Sequence, residues 1–496
     1  MINISIYRRR HMQKKILHTV LSLAVGAGIF AVGGVPTQAK SKDQKVSNTY
    51  TIAFKNGLPD NYQEIIQKAG GKVTKALPEV GGIEAQSEQA SFLNNLKGNS
   101  SIEAANREIP LSLDKTSGSP YNYQSNIISS QNVDNYWDSQ WDIQRVTNGG
   151  KSYDVETGGY KNKDGSTTHK AVVGVIDTGI DASHPDLKNN ILGGRNLVPA
   201  GMDESETGDP ADIKDRNGHG THVAGIIGAN GKVKGVGPEL GIRSYRVLYS
   251  EQALGMPAWI IDGIIAATND KVDVINMSLR FYNNNKMTIE GESYKSIAET
   301  LLWKRAIQYA VKNGVTVVAG SGNESLNLDN KKEVNDFLNT LYEPYGISVK
   351  GPATVVPAQM PGVINVSAST KWSTQQLAFY SNYGNSAIDV AAPGGDFGEK
   401  YAKTNDPATA DPNNLILSTW PTYLGTSYEL NAGTSMATPQ VAGIAGVLKA
   451  AHPEYKPAQV TARIKQTAVD YGKKGHDALF GSGEANAYRA LEDIKN

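Results

Sequence analysis

The chain of 496 residues contains no cysteine. That excludes a disulfide scaffold, thiolate catalysis and cysteine-ligated zinc, although a core large enough to need no staples can still be exported. Neither sign of charge dominates, because 49 Lys and Arg balance 49 Asp and Glu. A balanced chain offers no broad phosphate-binding surface, so nucleic acid is not an expected partner. Internal repeats are missing, and beyond the N-terminus no apolar run is long enough to span a bilayer. The final residues, Glu492-Asp493-Ile494-Lys495-Asn496, carry no hydrophobic tail. What is present is ordinary globular material, 39% apolar and 20% charged, in a length that admits one large domain and smaller parts.

The N-terminus holds one apolar stretch, about Ile16 to Val35. It follows a basic patch of Arg8, Arg9, Arg10, Lys14 and Lys15 and precedes Pro36-Thr37-Gln38-Ala39. This is the pattern of a secretory signal, so residues 1–39 read as a signal peptide and the product as secreted and extracellular, without a stable membrane anchor. Met12 would make a cleaner start than Met1.

Residues 40–110 read as a small α+β module. Tyr50 to Phe54 alternates as a strand, and Asp60 to Ala69 is helical and stops at Gly70-Gly71. Val73–Leu77 and Ile83–Gln86 are strands, Gln89–Leu96 a helix and Ile102–Ile109 a last strand. That β-α-β-β-α-β order is ferredoxin-like. Residues 111–140, rich in Ser, Asn, Gln, Tyr and Gly, read as a linker.

From residue 141 to 496 apolar strands alternate with helical segments. The strands are Ala171–Ile176, Ile242–Leu248, Val272–Leu279, Val315–Ala319, Val363–Ala368 and Ile388–Ala391. The helices include Trp259–Asn269, Ile297–Asn313, Thr434–Ala450 and Lys456–Thr467. This alternation predicts an α/β, doubly wound, mostly parallel sheet with helices on both faces.

Three segments in this region carry chemistry. Asp177 directly follows the strand Ala171–Ile176, in Asp177-Thr178-Gly179, at the end of the strand where open parallel sheets place reactive groups. By itself it could be a turn aspartate. An aspartic protease would need a second such carboxylate, and neither Asp-Thr-Gly nor Asp-Ser-Gly recurs. His219 and His222 open a helix in Asn217-Gly218-His219-Gly220-Thr221-His222-Val223-Ala224-Gly225. A zinc site would need further ligands at matching spacing, and none is nearby. Glycines on both sides of His219 let backbone and substrate approach it, while His222, one turn on, fits a buried hydrogen-bonded role. Ser435, in Gly433-Thr434-Ser435-Met436-Ala437-Thr438-Pro439, lies at a helix N-terminus, where amides and the helix dipole favour developing negative charge. Taken alone it is only a helix-capping serine.

Together, in the order Asp, His, Ser, these segments resemble the three signatures of the subtilisin-like serine proteases from about Trp141 to the C-terminus. Asp273-Val274-Ile275-Asn276-Met277-Ser278-Leu279 also matches a strand of that family. The resemblance implies a serine endopeptidase in which Ser435 attacks the scissile carbonyl, His219 takes its proton and Asp177 holds the imidazole. It further implies that Asn323, in Val318-Ala319-Gly320-Ser321-Gly322-Asn323, supplies an oxyanion donor beside the Ser435 amide, and that Ser278 and Leu279 form the edge that pairs with extended substrate. Residues 40–110 would be a propeptide that helps the enzyme fold and blocks its cleft as an intramolecular inhibitor. Arg280-Phe281 stands where the family often has glycines, and Gln440 where it often has histidine.

Within the family, the signal, the short propeptide, the opening Trp141-Asp142-Ile143 and the absence of cysteine resemble the lantibiotic leader peptidases, which cut after arginine. Glu324 follows Asn323, where the family places the base of the specificity pocket, and a carboxylate there would favour arginine. Asp329, Glu333, Asp336 and Glu343 lie close by in the insertion from Ser325 to Thr354. The expected substrate is therefore a peptide or protein, with a lantibiotic precursor as the specific form. General secreted degradation is the alternative, and a non-catalytic binding protein on a protease scaffold the remote one. If the enzyme matures itself after arginine, Arg107 is the one candidate between Lys40 and Gln144. The chemistry needs no cofactor, and a monomer is expected. No metal ligand is assigned: relatives bind structural calcium through an Asp like Asp186 and a loop after the His helix, but Ala229 to Gly235 is short for a ligand loop, which leaves room for structural calcium only at a weaker site elsewhere.

Overall fold

The computed structural model describes residues 48–108, 111–112, 134–284, 286–289, 292–343 and 346–492. The expected signal peptide and most of the expected linker lie outside these residues. Among the described residues no helix is long and apolar enough to cross a membrane.

The centre is a seven-stranded parallel sheet. Its order is Val390–Pro393, Val363–Ser369, Thr316–Gly320, Val274–Met277, Val172–Asp177, Gly241–Arg246 and Ile191–Asn196. Alternation along each strand sends successive side chains to opposite faces. Val173, Val175, Val274 and Val318 join one core, with Val223 and Ile226 of the helix His219–Gly228 and Val441 and Ile444 of the helix Thr434–Ala451. Ile176, Ile275, Val317 and Ala319 face the other way, onto Ile260 and Ile264 of Pro257–Asn269 and Ala306 and Ile307 of Ile297–Lys312. Each fully buried Val, Ile or Leu contributes roughly 1.5–3 kcal/mol. Two such layers make the doubly wound architecture the alternating pattern predicts. The pattern missed the edge strand Ile191–Asn196, and its strand limits differ from those observed by up to two residues at each end.

Residues 49–107 form a four-stranded antiparallel sheet in the order Lys72–Leu77, Gly82–Gln86, Thr49–Phe54 and Ile102–Arg107, with helices Tyr62–Ala69 and Phe92–Leu96. Gly70 ends the first helix in the left-handed region at φ 92°, as the Gly70-Gly71 pair suggests. The sheet lies on the helices Pro257–Asn269 and Ile297–Lys312. Ala53, Leu77 and Val80 enter the same core as Leu302 and Trp303. Lys75 pairs with Asp262 at 2.6 Å, and Arg305 donates to the carbonyls of Phe54 and Val80 at 2.8 and 3.0 Å.

Three buried carboxyls sit at this contact, Glu84 and Glu108 from the module and Glu299 from the helix beneath. Burial raises all three above the usual carboxylate range, Glu299 to about 7. The neighbouring charges of Glu84 and Glu299 push Glu108 further, against the hydrogen bond from Thr51. Thr74, Lys75 and Trp259 counter part of the shift at Glu84. The sign follows from linkage: a carboxyl raised in the fold adds no penalty below its unfolded value and destabilises progressively as pH climbs through the folded one. The full chain should therefore lose stability as pH rises from about 5 through the Glu299 value of about 7. Glu108→Gln should flatten that loss and raise Tm at pH 8 by roughly 2–4 °C, measured by thermal melts across pH. A pH profile unchanged by the substitution would contradict the account.

The segment expected as a linker has ordered ends. Leu111–Ser112 pairs antiparallel with Leu254–Gly255. Trp137–Ser139 forms a 3-10 turn, where Trp137 packs on Tyr153 and the adjoining Tyr136 packs on Tyr428. Aromatic residues inside a polar stretch give it something to bury. Arg107 lies within a strand, paired with Tyr50, with its guanidinium over the Tyr50 ring.

Candidate active site

The carboxyl ends of three neighbouring parallel strands converge. Val172–Asp177 ends on Asp177, Val274–Met277 leads directly into Ser278, and Thr316–Gly320 leads through Ser321-Gly322 to Asn323. Two helices begin at this rim, one with His219 as its first residue and one with Ser435 as its second.

Asp177 Oδ1 accepts hydrogen bonds from His219 Nδ1 at 2.8 Å and from the Thr178 amide at 2.8 Å. Both side chains are buried. A carboxylate on Nδ1 holds the proton there and leaves Nε2 as the free base. Nε2 has no protein partner among the described residues. Burial pulls the imidazole pKa down, but the charge and hydrogen bond of Asp177, with the field of Asp215, outweigh it, so His219 stands above its ordinary value.

Glycine is required on both sides of the histidine. At Gly220 a Cβ would stand 2.1 Å from the Gly179 carbonyl oxygen, so only glycine lets this helix rest on the Asp177 turn. Gly218 has φ 107°, and a Cβ there would enter the Trp420 ring.

Asp215 organises the same turn and was not singled out from the sequence. Its Oδ1 accepts from Thr178 Oγ1 and the amides of Asn217 and Gly218 at 2.8–3.0 Å, and its Oδ2 from the Thr221 amide and hydroxyl at 2.9 and 2.7 Å. Thr178 Oγ1 in turn accepts the Gly220 amide at 2.9 Å. The signal available was an Asp two residues before Asn217-Gly218, the spacing of an Asx turn.

His222 is fully buried, and its Nε2 reaches the carbonyls of Ile416 and Glu429 at 3.2 and 3.1 Å. Burial pushes its pKa down to about 3, so it is a neutral structural residue.

Ser435 Oγ donates to the Ser278 carbonyl at 3.0 Å, and Ser278 Oγ donates to the Ser435 carbonyl at 2.9 Å. This pair ties the start of the serine helix to the strand end. Asn323 Oδ1 accepts from the amide and hydroxyl of Thr434 at 2.9 and 3.0 Å. With its oxygen so used, the Asn323 amide nitrogen is left toward Gly433, beside the serine. Ser278 and Leu279 lie just past the strand end, buried.

Glu324 is also at the site, in company the sequence did not suggest. Its Oε1 forms an ion pair with Arg280, and its Oε2 accepts from Tyr282 Oη at 2.5 Å and Asn382 Nδ2 at 2.7 Å. The other acids of the insertion serve local structure. Asp329 bonds Ser386, Glu333 meets Asn327 and Asn330, Asp336 pairs with Lys332, and Glu343 is exposed. The insertion itself forms the helix Lys331–Tyr342 and the strand Ala353–Val356, which pairs with Phe281–Asn284 and so fixes the backbone beside Arg280.

Elsewhere, Gln440 Nε2 donates to the Pro393 carbonyl at 2.7 Å and reaches the buried Asp142 at 3.3 Å. At Asp186, Oδ2 accepts the Val233 amide at 3.0 Å and Tyr428 Oη at 3.1 Å. These are donors, where a calcium ion would need oxygens, so the residues around Asp186 do not fit that cation.

Comparison with known proteins agrees with this geometry. A profile described as the subtilase family, peptidase S8, matches residues 168–483. The epidermin leader peptide-processing serine protease EpiP of Staphylococcus epidermidis is 29% identical over 494 residues, covering 96% of this chain and 98% of that protein. The nisin leader peptide-processing serine protease NisP of Lactococcus lactis is 35% identical over 323 residues, covering 63% of this chain and 44% of that protein. The crystal structure of EpiP from Staphylococcus aureus superposes with a TM-score of 0.72 at 28% identity, covering 90% of this chain and 98% of that one.

Proposed function

The chain belongs to the subtilase family of serine proteases, and from that premise we propose that it is a secreted endopeptidase that releases a lantibiotic from its leader peptide. The observation that carries this is the extent of the likeness to EpiP, which runs over 96% of the chain and includes the N-terminal module rather than the catalytic region alone. A subtilisin whose name mentions no leader, subtilisin amylosacchariticus, matches over 66% of the chain.

The reaction runs on the three converging strands. Ser435 Oγ turns from the Ser278 carbonyl, attacks the scissile carbonyl and gives its proton to His219 Nε2. Asp177 stabilises the imidazolium that forms. The oxyanion is held by Asn323 Nδ2 and the Ser435 amide at the helix N-terminus. His219 then protonates the leaving amine, and water regenerates Ser435 from the acyl-enzyme. Asn323→Ala should cost about 10²–10³ in kcat with KM little changed, read by steady-state kinetics on a fluorogenic peptide. Full activity in the variant would remove Asn323 from the site.

Residues 40–110 act in this reading as the propeptide and intramolecular inhibitor, and the pairing of Leu111–Ser112 with Leu254–Gly255 supports a chain that continues from the module along the enzyme surface. Cleavage after arginine is the form of the reading that Glu324 by itself would support. The ion pair with Arg280 favours a second form, in which the residue before the scissile bond is not basic. The leader reading is tested by mass spectrometry of leader-bearing lantibiotic precursors incubated with the enzyme. One cut that frees an intact leader is expected, and cleavage into many fragments, with casein degraded equally well, would place the enzyme among the degradative members.

A further inference from the structure

We infer that Arg280 sets the selectivity for the residue preceding the scissile bond, occupying the Glu324 carboxylate so that the enzyme cleaves after uncharged or acidic residues and rejects arginine and lysine. This rests on the reading of Ser435 and Asn323 as nucleophile and oxyanion donor, and it deepens the proposal of a leader peptidase by naming its substrate class.

Ser435 Oγ lies on the Ser278 carbonyl, and Asn323 lies on Thr434 beside it. A carbonyl carbon at Ser435 with its oxygen toward Asn323 sends the preceding side chain between the two strand ends, residues 278–280 on one wall and 320–323 on the other. Arg280 crosses that gap. A Cβ at Gly322 would stand 2.6 Å from Arg280 Cδ and 2.8 Å from its Nε, so the stem of the arginine lies flat on the opposite wall. Its guanidinium continues to Glu324, and the two side chains are only 12% and 3% exposed.

The carboxylate has no oxygen left over. Arg280 is on Oε1, while Tyr282 and Asn382 are on Oε2. Tyr282 is braced from behind by Phe337 of the insertion helix, at 6.0 Å between ring centroids, and Tyr342 of that helix also feels the Arg280 charge. A substrate guanidinium would have to displace Arg280 and leave that cation part-buried beside it. Removing one partner of a buried ion pair, or adding a like charge to it, is strongly unfavourable. An uncharged side chain meets the stem without this conflict, and an acidic one meets a guanidinium.

The experiment uses the full chain after its own processing has run to completion, with fluorogenic peptides that differ only at the residue before the scissile bond. Arg, Lys, Gln, Leu and Glu form the series. The wild type should show kcat/KM for Arg and Lys at least tenfold below the best of Gln, Leu and Glu. Arg280→Gly should raise the ratio of Arg to Gln cleavage at least tenfold by freeing Glu324, and Arg280→Gly with Glu324→Gln should cancel that gain. Should Arg280→Gly fail to fold, Arg280→Gln, which keeps most of the stem, carries the same expectation. A wild type that cuts after Arg within tenfold of the best peptide, or a ratio unmoved in both Arg280 variants, overturns the inference. Arg preference here together with clean leader release sinks this inference alone. Poor Arg cleavage in the peptides with no leader released from any precursor sinks the leader reading alone.

Discussion

Ser435→Ala is expected to lower kcat for peptide cleavage by about 10⁶-fold, the scale seen when the serine of such a triad is removed from subtilisin. The loss is that large because no neighbour can take over. Two hydroxyls stand at the start of this 18-residue helix, and Thr434 Oγ1 is held on Asn323 Oδ1 at 3.0 Å, which leaves Ser435 beside the first-turn amides that would face the oxyanion. The substitution should leave the fold in place. It removes one hydrogen bond, to the Ser278 carbonyl, worth about 1 kcal/mol. The reciprocal bond from Ser278 to the Ser435 backbone remains. The variant should therefore melt within a few degrees of the wild type and accumulate as an uncut chain, seen by intact mass. Residual cleavage about 10³-fold above water would come from Asn323 and substrate binding. Unchanged cleavage in a correctly folded Ser435→Ala protein would mean another nucleophile, and an inactive wild type would favour a binding protein on a protease scaffold.

The parts of this site that were legible in the sequence are those whose chemistry is local. Asp177-Thr178-Gly179 needs a strand before it and a glycine after it, and His219 needs Gly218 and Gly220. Those requirements are written in adjacent letters. The apolar strands of the central sheet were legible for the same reason, since burial on both faces leaves a continuous apolar run. The strand Ile191–Asn196 was not, because Ile-Leu-Gly-Gly-Arg-Asn has neither an apolar run nor alternation. It pairs with Gly241–Arg246 through a register shift, and a Cβ on Gly194 would stand 1.9 Å from the Ser244 carbonyl oxygen. There glycine is a requirement of close pairing, although in sequence it reads as a turn.

Charges were legible only one at a time. Glu324 was identifiable as an acid near the site, and Arg280 as a departure from glycine. Their contact depends on two strand ends that the sheet brings together, so an acidic pocket was expected where an ion pair stands. Glu84, Glu108 and Glu299 likewise look like surface acids in sequence and meet only when the module covers the helix Ile297–Lys312. Asp215 gave a weak local signal, but its bond to Thr178 joins two segments that only the fold makes neighbours.

Asp177→Asn is expected to lower kcat by about 10⁴-fold while leaving the shape of the site intact. Asp177 Oδ1 now accepts both the Thr178 amide and His219 Nδ1, each at 2.8 Å, so an asparagine oxygen in that place keeps both bonds and its nitrogen takes the position of Oδ2. The proton stays on Nδ1, but no negative charge is left to stabilise the imidazolium that forms when Ser435 gives up its proton. A second readout separates this from simple damage. In the wild type, burial lowers the His219 pKa, but the charge and hydrogen bond of Asp177 overcome it and leave it raised. Cleavage needs the neutral imidazole, so kcat/KM falls as pH drops through that raised value, and the acid limb lies above the ordinary histidine value of about 6.5. Without the carboxylate, burial prevails and only the more distant Asp215 opposes it. The acid limb of the weak residual activity should move to lower pH, below that ordinary value. A limb that stays in place would show that His219 does not titrate against Asp177, and the orienting role would have to pass to another group.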